Sequence, residues 1–350
     1  MDPLLTLAQL ALLGFSLVGV TAADPSLLTA HLLKITLGLA ATLAFALLIP
    51  PGPLLRHALG LHLTVMALLL LVLLVGQGPG GVRRWLDLGP FQLQPSELAK
   101  VTLVLYLASF VGRKGMDYPV LGPFILIGAT AGLVLLEPDF STALFLFTLS
   151  LGVLLVIGLP WRRFLSILFS AALLALALGG SYLGRFRYVA ERFMAFLGFW
   201  QGTAEAKEEA YQVIQAQKAI LTAGPFGHGP GAGLLHLPEA HSDMVFASVV
   251  YATGWLGGVM VLFLYGLLFF RGLQIALRLK GAESVLATGL TLYLSGQAAI
   301  NIGVTLGFLP VTGVPLPLLS YGGSSLLVSG MALGLLSALA RRGEGRRAWS

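Results

Sequence analysis

The chain has 350 residues, of which 57% are hydrophobic and only 10% are charged, with a formal net charge of +6 and no cysteine. A soluble domain carries roughly 25% charged residues, so this composition excludes an ordinary soluble fold and favours a protein embedded in lipid. The absence of cysteine excludes disulfides, thiolate metal sites and cysteine nucleophiles. We attribute the positive charge to the cytoplasmic bias of basic residues in membrane proteins, and not to a nucleic-acid partner.

Long apolar runs recur along the whole chain. A membrane-spanning helix needs about 20 mainly apolar residues. The runs that qualify are 4–23, 28–49, 58–76, 98–112, 119–136, 141–158, 163–184, 244–270, 284–309 and 322–340. The sequence therefore predicts an all-α polytopic membrane protein with about ten transmembrane helices, in one transmembrane domain over residues 1–350.

Two connections are too polar to lie in lipid, namely residues 77–96 and the long loop 185–243 between the seventh and eighth spans. If the N-terminus is inside, twelve basic residues fall in inner segments and only Arg83 and Arg84 fall in short outer loops. Because Lys and Arg favour the cytoplasmic side, we expect both termini to be cytoplasmic. Both polar connections are then extracytoplasmic.

The first outer region, residues 81–100, carries Arg83, Arg84, Glu97 and Lys100. Arginine forks bind phosphate oxygens bidentately, but an interfacial pair that contacts lipid headgroups is an equally good interpretation of the two arginines. Glu97 and Lys100 are three residues apart and share a helix face, which favours a structural ion pair. Charges buried in a membrane span are also candidates for function.

The second outer region reads EPDFST, residues 137–142, and interrupts the apolar sequence between two spans. Asp139 or Ser141 could cap the following helix. The alternative is that Glu137 and Asp139 face the outer cavity, where they tune its charge or hold a cation.

The third outer region, residues 211–245, begins with an amphipathic segment whose polar face carries Gln212, Gln215 and Lys218. Five glycines follow between residues 224 and 233, and they allow the backbone to approach a ligand closely. Glu239, His241, Ser242 and Asp243 come directly before the eighth span. Ser242 or Asp243 would make an ordinary helix cap worth about 1 kcal/mol, but a cap accounts for only one of these polar residues.

The segment 301–325, NIGVTLGFLPVTGVPLPLLSYGGSS, breaks the apolar sequence with prolines and glycines between the last two spans. Irregular backbone at membrane depth is tolerated only where it is buried in protein or lines a cavity. The segment therefore predicts the wall of a polar pocket.

Together these segments resemble the SEDS family of bacterial cell-wall polymerases, the RodA and FtsW proteins. The matching stretches, in the family's order, are GVRRWLDLG and QPSELAK, EPDFSTAL, YQ followed by QAQKAI, LPEAHSDMVFA, and the broken segment 301–325. The resemblance implies a peptidoglycan glycosyltransferase that polymerises lipid II at the outer face of the cytoplasmic (inner) membrane. The implied partners are lipid II, the nascent glycan strand, membrane lipids and a class B penicillin-binding protein.

The resemblance also implies that Asp243 is the essential catalytic residue. The candidates for substrate binding are Arg83, Arg84, Lys100, Lys218, His241, Ser320 and Ser324. The candidate supporting carboxylates are Glu97, Asp139 and Glu239. The chain departs from the family pattern at Glu137, Tyr251 and Ala252, which leaves the roles of those positions open.

The reaction itself favours a carboxylate that takes a proton from the attacking sugar hydroxyl, and Asp243 is our candidate for this general base. The sequence specifies no cofactor; the carboxylates permit a divalent cation such as Mg²⁺ or Mn²⁺, but no ligand spacing specifies one. Two alternatives remain, a lipid II flippase and a membrane scaffold that activates a partner synthase. Of the two polymerase types, the short tails favour the elongation type, most like RodA, over the division type, FtsW-like.

Overall fold

The computed structural model describes residues 1–78, 81–89, 91–115, 121–166, 168, 194, 196, 208–232 and 237–345. In the described part, the helices that we label α1 to α11 are Pro3–Ala23, Leu28–Leu43, Pro51–Arg56, Ala58–Val75, Pro95–Lys114, Leu121–Leu136, Phe140–Val156, Glu208–Thr222, Val245–Arg278, Gly281–Thr305 and Gly323–Gly345. A π-helical turn, Ala44–Leu48, continues α2. Two short strands, β1 (Leu86–Asp87) and β2 (Gln92–Leu93), form an antiparallel hairpin in the connection 77–96.

The predicted helical membrane fold is confirmed. Six of the described helices are long and apolar enough to cross a membrane, namely α1, α2 with its π turn, α4, α9, α10 and α11, and α6 and α7 are shorter apolar helices. The predicted count of ten is not tested, because most of the seventh predicted span lies outside the described residues. Most of residues 185–207, the first part of the predicted long loop, also lies outside the described residues.

Helix α5, which contains the fourth predicted span, is the central helix of the bundle. Nearly all of its side chains from Pro95 to Ser109 are buried, including Glu97 and Lys100. It packs against α4, α6, α7, α10 and α11. A helix that is surrounded by other helices need not be apolar enough to face lipid, so α5 tolerates two charges that a peripheral span would not.

Helices α2 and α11 approach each other unusually closely through three glycines. A Cβ atom built at Gly330 would lie 2.2 Å from the Gly38 carbonyl oxygen, and one at Gly334 would lie 2.6 Å from the Thr42 carbonyl oxygen. Membrane helices associate through such small residues because lipid supplies no hydrophobic force between them.

The backbone departs from helical geometry at two places. Inside α9, Gly254 has a φ of +78°, and its amide region packs against the loop that follows α8. That loop donates hydrogen bonds from His228 and Gly229 to the Tyr251 and Ala252 carbonyls, each 3.0 Å long. Tyr251 and Ala252 thus join the loop to the kink of α9. The second place is the segment 306–322 between α10 and α11, which is not helical.

The two ends of the bundle differ in chemistry. At one end Arg271 pairs with Asp2 at 2.6 Å, and Arg342 pairs with Glu283 at 2.5 Å. Arg278 lies beside Arg271 and Gly343 at the same end. The hairpin and the segments 137–142, 239–243 and 312–325 contribute to a cavity at the opposite end.

The close contact between α2 and α11 gives a stability prediction. We expect Gly330→Ala to destabilise the protein by about 1–3 kcal/mol, because the new methyl group would clash with the Gly38 backbone. The control is Gly266→Ala on α9, where a Cβ meets no described atom within 4 Å. Replacing a helical glycine by alanine there should raise stability by about 0.5–1 kcal/mol. Thermal unfolding in detergent micelles measures both, and equal shifts in the two variants would contradict the packing account.

Candidate active site

The candidate site is a cavity of about 1110 Å³ at the end of the bundle opposite the basic cluster. Its walls come from α2, the hairpin connection, the start of α7, the residues before α9 and the broken segment after α10. Charged side chains among its described lining residues are Lys34, Arg84, Glu97, Asp139, Glu239 and Asp243. The sequence predicted a polar pocket walled by residues 301–325, and the structure places Thr312, Gly313, Pro315 and residues 320–325 on its wall.

Asp243 is held by hydrogen bonds from the broken segment and from α10. The Asn301 side-chain amide donates to the Asp243 carbonyl at 2.8 Å. The Ser320 hydroxyl donates to the Ser242 carbonyl at 2.6 Å, and the Tyr321 amide donates to the His241 carbonyl at 2.8 Å. Three consecutive carbonyls therefore each accept one bond, and we call this arrangement the carbonyl clasp.

The carboxylate of Asp243 faces the cavity and does not serve as a helix cap. Helix α9 begins at Val245, its N-cap residue is Met244, and no side chain makes the capping bond. The Ser242 hydroxyl instead donates to the Glu239 carboxylate at 2.5 Å. A Cβ built at Gly313 would lie 3.4 Å from the Asp243 Oδ2 atom, so the broken segment passes directly beside this carboxylate. The capping interpretation of Asp243 and Ser242 is therefore wrong.

Two residues near the clasp have strained backbone. Glu239 has a φ of +53° and Leu318 has a φ of +69°. Such left-handed conformations cost about 1–3 kcal/mol for residues other than glycine and persist only where the surroundings enforce them. The strain lies on both sides of the contact that orients Asp243.

Lys34 is a cavity residue to which the sequence analysis gave no role. Its ammonium lies 3.1 Å from the centroid of the Tyr321 ring, an arrangement that stabilises a cation. Tyr321 in turn packs against the His241 ring, with centroids 5.6 Å apart. The available signal was a lone lysine within the otherwise apolar second span, since such residues are functional candidates by default.

The two adjacent arginines are separated by the structure. Arg83 donates to the Leu73 and Leu74 carbonyls at 2.9 and 3.0 Å, so it satisfies the C-terminal end of α4 and does not line the cavity. Arg84 lines the cavity and donates to the Glu137 carbonyl at 3.0 Å and to the Pro138 carbonyl. The expectation that both arginines face one site is therefore not met.

Glu97 and Lys100 form the predicted ion pair, with 2.6 Å between the Lys100 nitrogen and a Glu97 oxygen. Both are buried, and Lys100 also donates to the Gln297 side chain at 2.8 Å. Gln297 donates in turn to the Pro315 carbonyl at 2.7 Å. Glu97 lines the cavity, whereas Lys100 lies behind it and connects α5 to the broken segment.

Asp139 both caps helix α7 and lines the cavity. Its carboxylate accepts a bond from the Thr142 amide at 3.2 Å and so caps α7, as the simpler interpretation predicted. It also lines the cavity. Neighbouring Glu137 is fully buried, and neither of its carboxyl oxygens has a hydrogen-bond partner among the described residues. Burial, and to a smaller degree the Asp139 carboxylate, raises the pKa of Glu137 to about 8, while Arg84 opposes the shift.

Of the remaining candidate substrate-binding and supporting residues, some line the cavity and others do not. Ser320 and Ser324 line the cavity, but their hydroxyls bond to backbone groups; Ser324 donates to the Gln92 carbonyl at 2.8 Å. Glu239 is an exposed residue on the rim. Lys218 is exposed on α8, and neither it nor His241 lines the cavity in the described part of the chain.

The described residues contain no group of three or more His, Asp or Glu side chains that could hold a metal ion. Carboxylates line the cavity, but no three of them form such a group. The donor set among the described residues therefore does not fit a metal held by protein ligands alone.

Comparison with known proteins agrees with this architecture. A family model described as FTSW_RODA_SPOVE, cell cycle protein, matches residues 6–344. A probable peptidoglycan glycosyltransferase FtsW from Thiomicrospira cyclica is 37% identical over 306 residues, covering 84% of this chain and 77% of the relative. Another from Halorhodospira halophila is 38% identical over 333 residues, covering 89% and 82%.

Two solved structures are also similar. One, described as showing structural coordination of polymerization and crosslinking by a peptidoglycan synthase complex, has a TM-score of 0.81 and 33% identity over 96% of both chains. The other is the rod shape determining protein RodA of Thermus thermophilus, with a TM-score of 0.70, 31% identity and coverage of 96% of this chain and 95% of that one.

The buried Glu137 carboxyl gives a prediction about pH. Between the ordinary pKa of 4.5 and about 8, the unfolded chain releases this proton while the folded chain keeps it. Wild-type stability should therefore fall by up to about 1.4 kcal/mol per pH unit across that window. Glu137→Gln cannot ionise, so its advantage over wild type should grow from about pH 5 to pH 8 and then level off.

Thermal unfolding in micelles at several pH values checks this expectation. The control is Glu239→Gln, which makes the same replacement at an exposed position and removes no buried carboxyl. A stability difference between Glu137→Gln and wild type that stays constant from pH 5 to pH 8 would show that Glu137 is not held neutral by burial.

Proposed function

Because the chain belongs to the FtsW/RodA/SpoVE family of cell cycle proteins, we propose that it is a peptidoglycan glycosyltransferase that polymerises lipid II. The names of its relatives support this proposal, since those from Thiomicrospira cyclica and Halorhodospira halophila are called probable peptidoglycan glycosyltransferases. The observation that carries the proposal is the presentation of Asp243 to a large cavity by the carbonyl clasp.

In the proposed reaction Asp243 is the general base. It accepts the proton of the acceptor sugar hydroxyl while that oxygen forms a bond to C1 of the donor sugar. The bond from C1 to the diphosphate oxygen breaks, and undecaprenyl diphosphate leaves with its electron pair. A single displacement inverts the α-linked donor to a β-linked product and needs no covalent nucleophile. A positioned base of this kind contributes roughly 10²–10⁴-fold to the rate.

The leaving diphosphate requires positive charge near the cavity. Lys34 and Arg84 are the basic side chains among the described lining residues, so we assign this role to them. Lys100 is neutralised by Glu97 and supports the cavity wall from behind. Arg83 and Lys218, expected from the sequence to bind substrate, do not line the cavity and are removed from the binding set.

An apolar face of α2 could accommodate the lipid tail of the substrate. Ala30, Leu33 and Leu37 of α2 line the cavity, and Leu33 and Leu37 are 56% and 37% exposed. Because α2 is a candidate membrane span, these exposed side chains border the bilayer. A polyprenyl chain that lies along them would keep its diphosphate at the polar end of the cavity.

We place the cavity on the extracytoplasmic side of the cytoplasmic membrane, with both termini cytoplasmic. The support is the gathering of described basic residues at the opposite end of the bundle, since basic residues favour the cytoplasm. A flippase is disfavoured because alternating access places the binding site near the bilayer midplane, and this cavity lies at one end. A scaffold that only activates a partner synthase is also disfavoured, because that role does not require a carboxylate positioned beside a large cavity.

We further propose that the protein works beside a class B penicillin-binding protein, which crosslinks the new strands. The similar structure described as a peptidoglycan synthase complex supports this partner. The curated relatives reported above are named FtsW, whereas the Thermus thermophilus structure is RodA. The sequence favoured the elongation type, but the curated relatives carry the name of the division-type polymerase. We therefore propose the division type.

Replacement of the proposed base tests the mechanism. We expect Asp243→Asn to slow polymerisation of purified lipid II by about 10²–10⁴-fold, because the amide cannot accept the hydroxyl proton. The control is Glu239→Gln, which removes a carboxylate from the rim of the same cavity and should keep most activity. Near-normal glycan strands from Asp243→Asn would overturn the assignment, and lipid translocation in proteoliposomes that survives this change would favour the flippase.

Depletion of the protein in its own host separates the two polymerase types. A division-type polymerase builds the septum, so its loss should give long filaments that continue to elongate. Light microscopy after depletion provides the measurement. Rounded cells that still divide would show instead that the elongation type, most like RodA, is correct.

A further inference from the structure

A second pocket lies at the basic end of the bundle, and it shares no lining residue with the active-site cavity. It has a volume of about 380 Å³ and lies where α2 and α11 end together. We call it the basic-end pocket; its lining consists of residues 46–51, Ala338, Arg341 and Arg342. Neither the proposed reaction nor the proposed partner uses it.

The pocket follows from the close contact of α2 and α11. Gly38, Gly330 and Gly334 let the two backbones touch, which brings the end of α2 beside the last turns of α11. There α2 widens into the π turn Ala44–Leu48, and such turns often mark functional sites. Pro50 and Pro51 then lead the chain away and supply no backbone N–H donors. A recess is left between the turn and the arginines.

Among the described residues, the pocket carries excess positive charge. Arg341 donates to the Ala46 carbonyl, which is neutral, and in the described part of the chain it pairs with no carboxylate. Arg342 pairs with Glu283, and that one carboxylate compensates only one of the two guanidinium groups. Guanidinium forks match phosphate oxygens in geometry and charge, so the remaining N–H groups suit a phosphate ligand.

The rim of the pocket is apolar and faces the bilayer. Leu47 and Leu48 line it and are 57% and 79% exposed. They belong to a segment that is long and apolar enough to span a membrane, so their exposed surfaces contact lipid chains. A ligand that fills the pocket must therefore present a phosphate to the arginines and hydrocarbon to the leucines.

We propose that the basic-end pocket binds the headgroup of an anionic phospholipid from the surrounding bilayer, with its phosphate on Arg341 and Arg342 and an acyl chain along Leu47 and Leu48. Basic pockets between membrane helices are suited to such headgroups. A headgroup with one net negative charge balances the uncompensated guanidinium. A choline headgroup would bring its own cation to the arginines, so zwitterionic lipid is a poorer ligand.

Native mass spectrometry of the purified full chain, titrated with phosphatidylglycerol, phosphatidylcholine or inorganic phosphate, tests the proposal. Wild type should retain phosphatidylglycerol preferentially, and Arg341→Gln should weaken that binding by about tenfold or more, as expected for loss of a charged hydrogen bond. The control is Arg56→Gln, an exposed arginine of α3 that does not line the pocket. It removes the same charge and should leave binding within about twofold of wild type.

A second variant guards against misfolding of Arg341→Gln. Leu48→Glu changes a side chain that is 79% exposed and places a negative charge at the rim, so it should weaken phosphatidylglycerol binding without disturbing the core. Equal loss in Arg341→Gln and Arg56→Gln would overturn the pocket in favour of diffuse surface charge. Equal binding of phosphatidylcholine, or displacement of the lipid by millimolar inorganic phosphate, would overturn the lipid assignment.

Discussion

The carbonyl clasp is the interaction on which the rest of the site depends. A membrane protein cannot leave backbone groups unpaired at membrane depth, yet residues 306–322 are not helical. Side chains from the bundle supply the missing partners. Asn301 donates to the Val314 carbonyl, Gln297 to the Pro315 carbonyl and Tyr265 to the Pro317 carbonyl. With its own groups satisfied in this way, the segment is rigid enough to hold residues 241–243 and to fix Asp243 beside the cavity.

The same constraint explains how the charged residues of the spans are arranged. Glu97 and Lys100 are paired on the central helix, and their pairing continues through Gln297 to the broken segment. Lys34 is stabilised by the Tyr321 ring, and the amide of that residue belongs to the clasp. The charges that the bilayer would otherwise exclude are thus connected to the element that orients the proposed base. Replacing one of these charged residues should therefore change the position of Asp243.

Sequence patterns predicted the helical bundle, the polar cavity and its broken wall, because apolar length and helix-breaking residues act locally. They could not distinguish Arg83 from Arg84, since neighbours in extended backbone point to opposite sides and only tertiary contacts decide which side faces the cavity. The capping of α9 was also predicted wrongly, because the helix begins at Val245 and its N-cap residue is Met244, whose side chain carries no oxygen to accept the capping bond. Lys34 was missed because its partner, Tyr321, is almost the whole chain away.

The geometry of the carbonyl clasp makes Asp243 an effective base. The direct test is the initial rate of lipid II polymerisation by Asn301→Ala, measured against substrate concentration, with Thr64→Ala on the exposed face of α4 as the control. Loss of the bond from Asn301 to the Asp243 carbonyl should lower kcat by about tenfold or more with little change in KM, because a base displaced from its partner loses rate and not ground-state binding. A folded Asn301→Ala variant with the kcat of wild type would contradict the account.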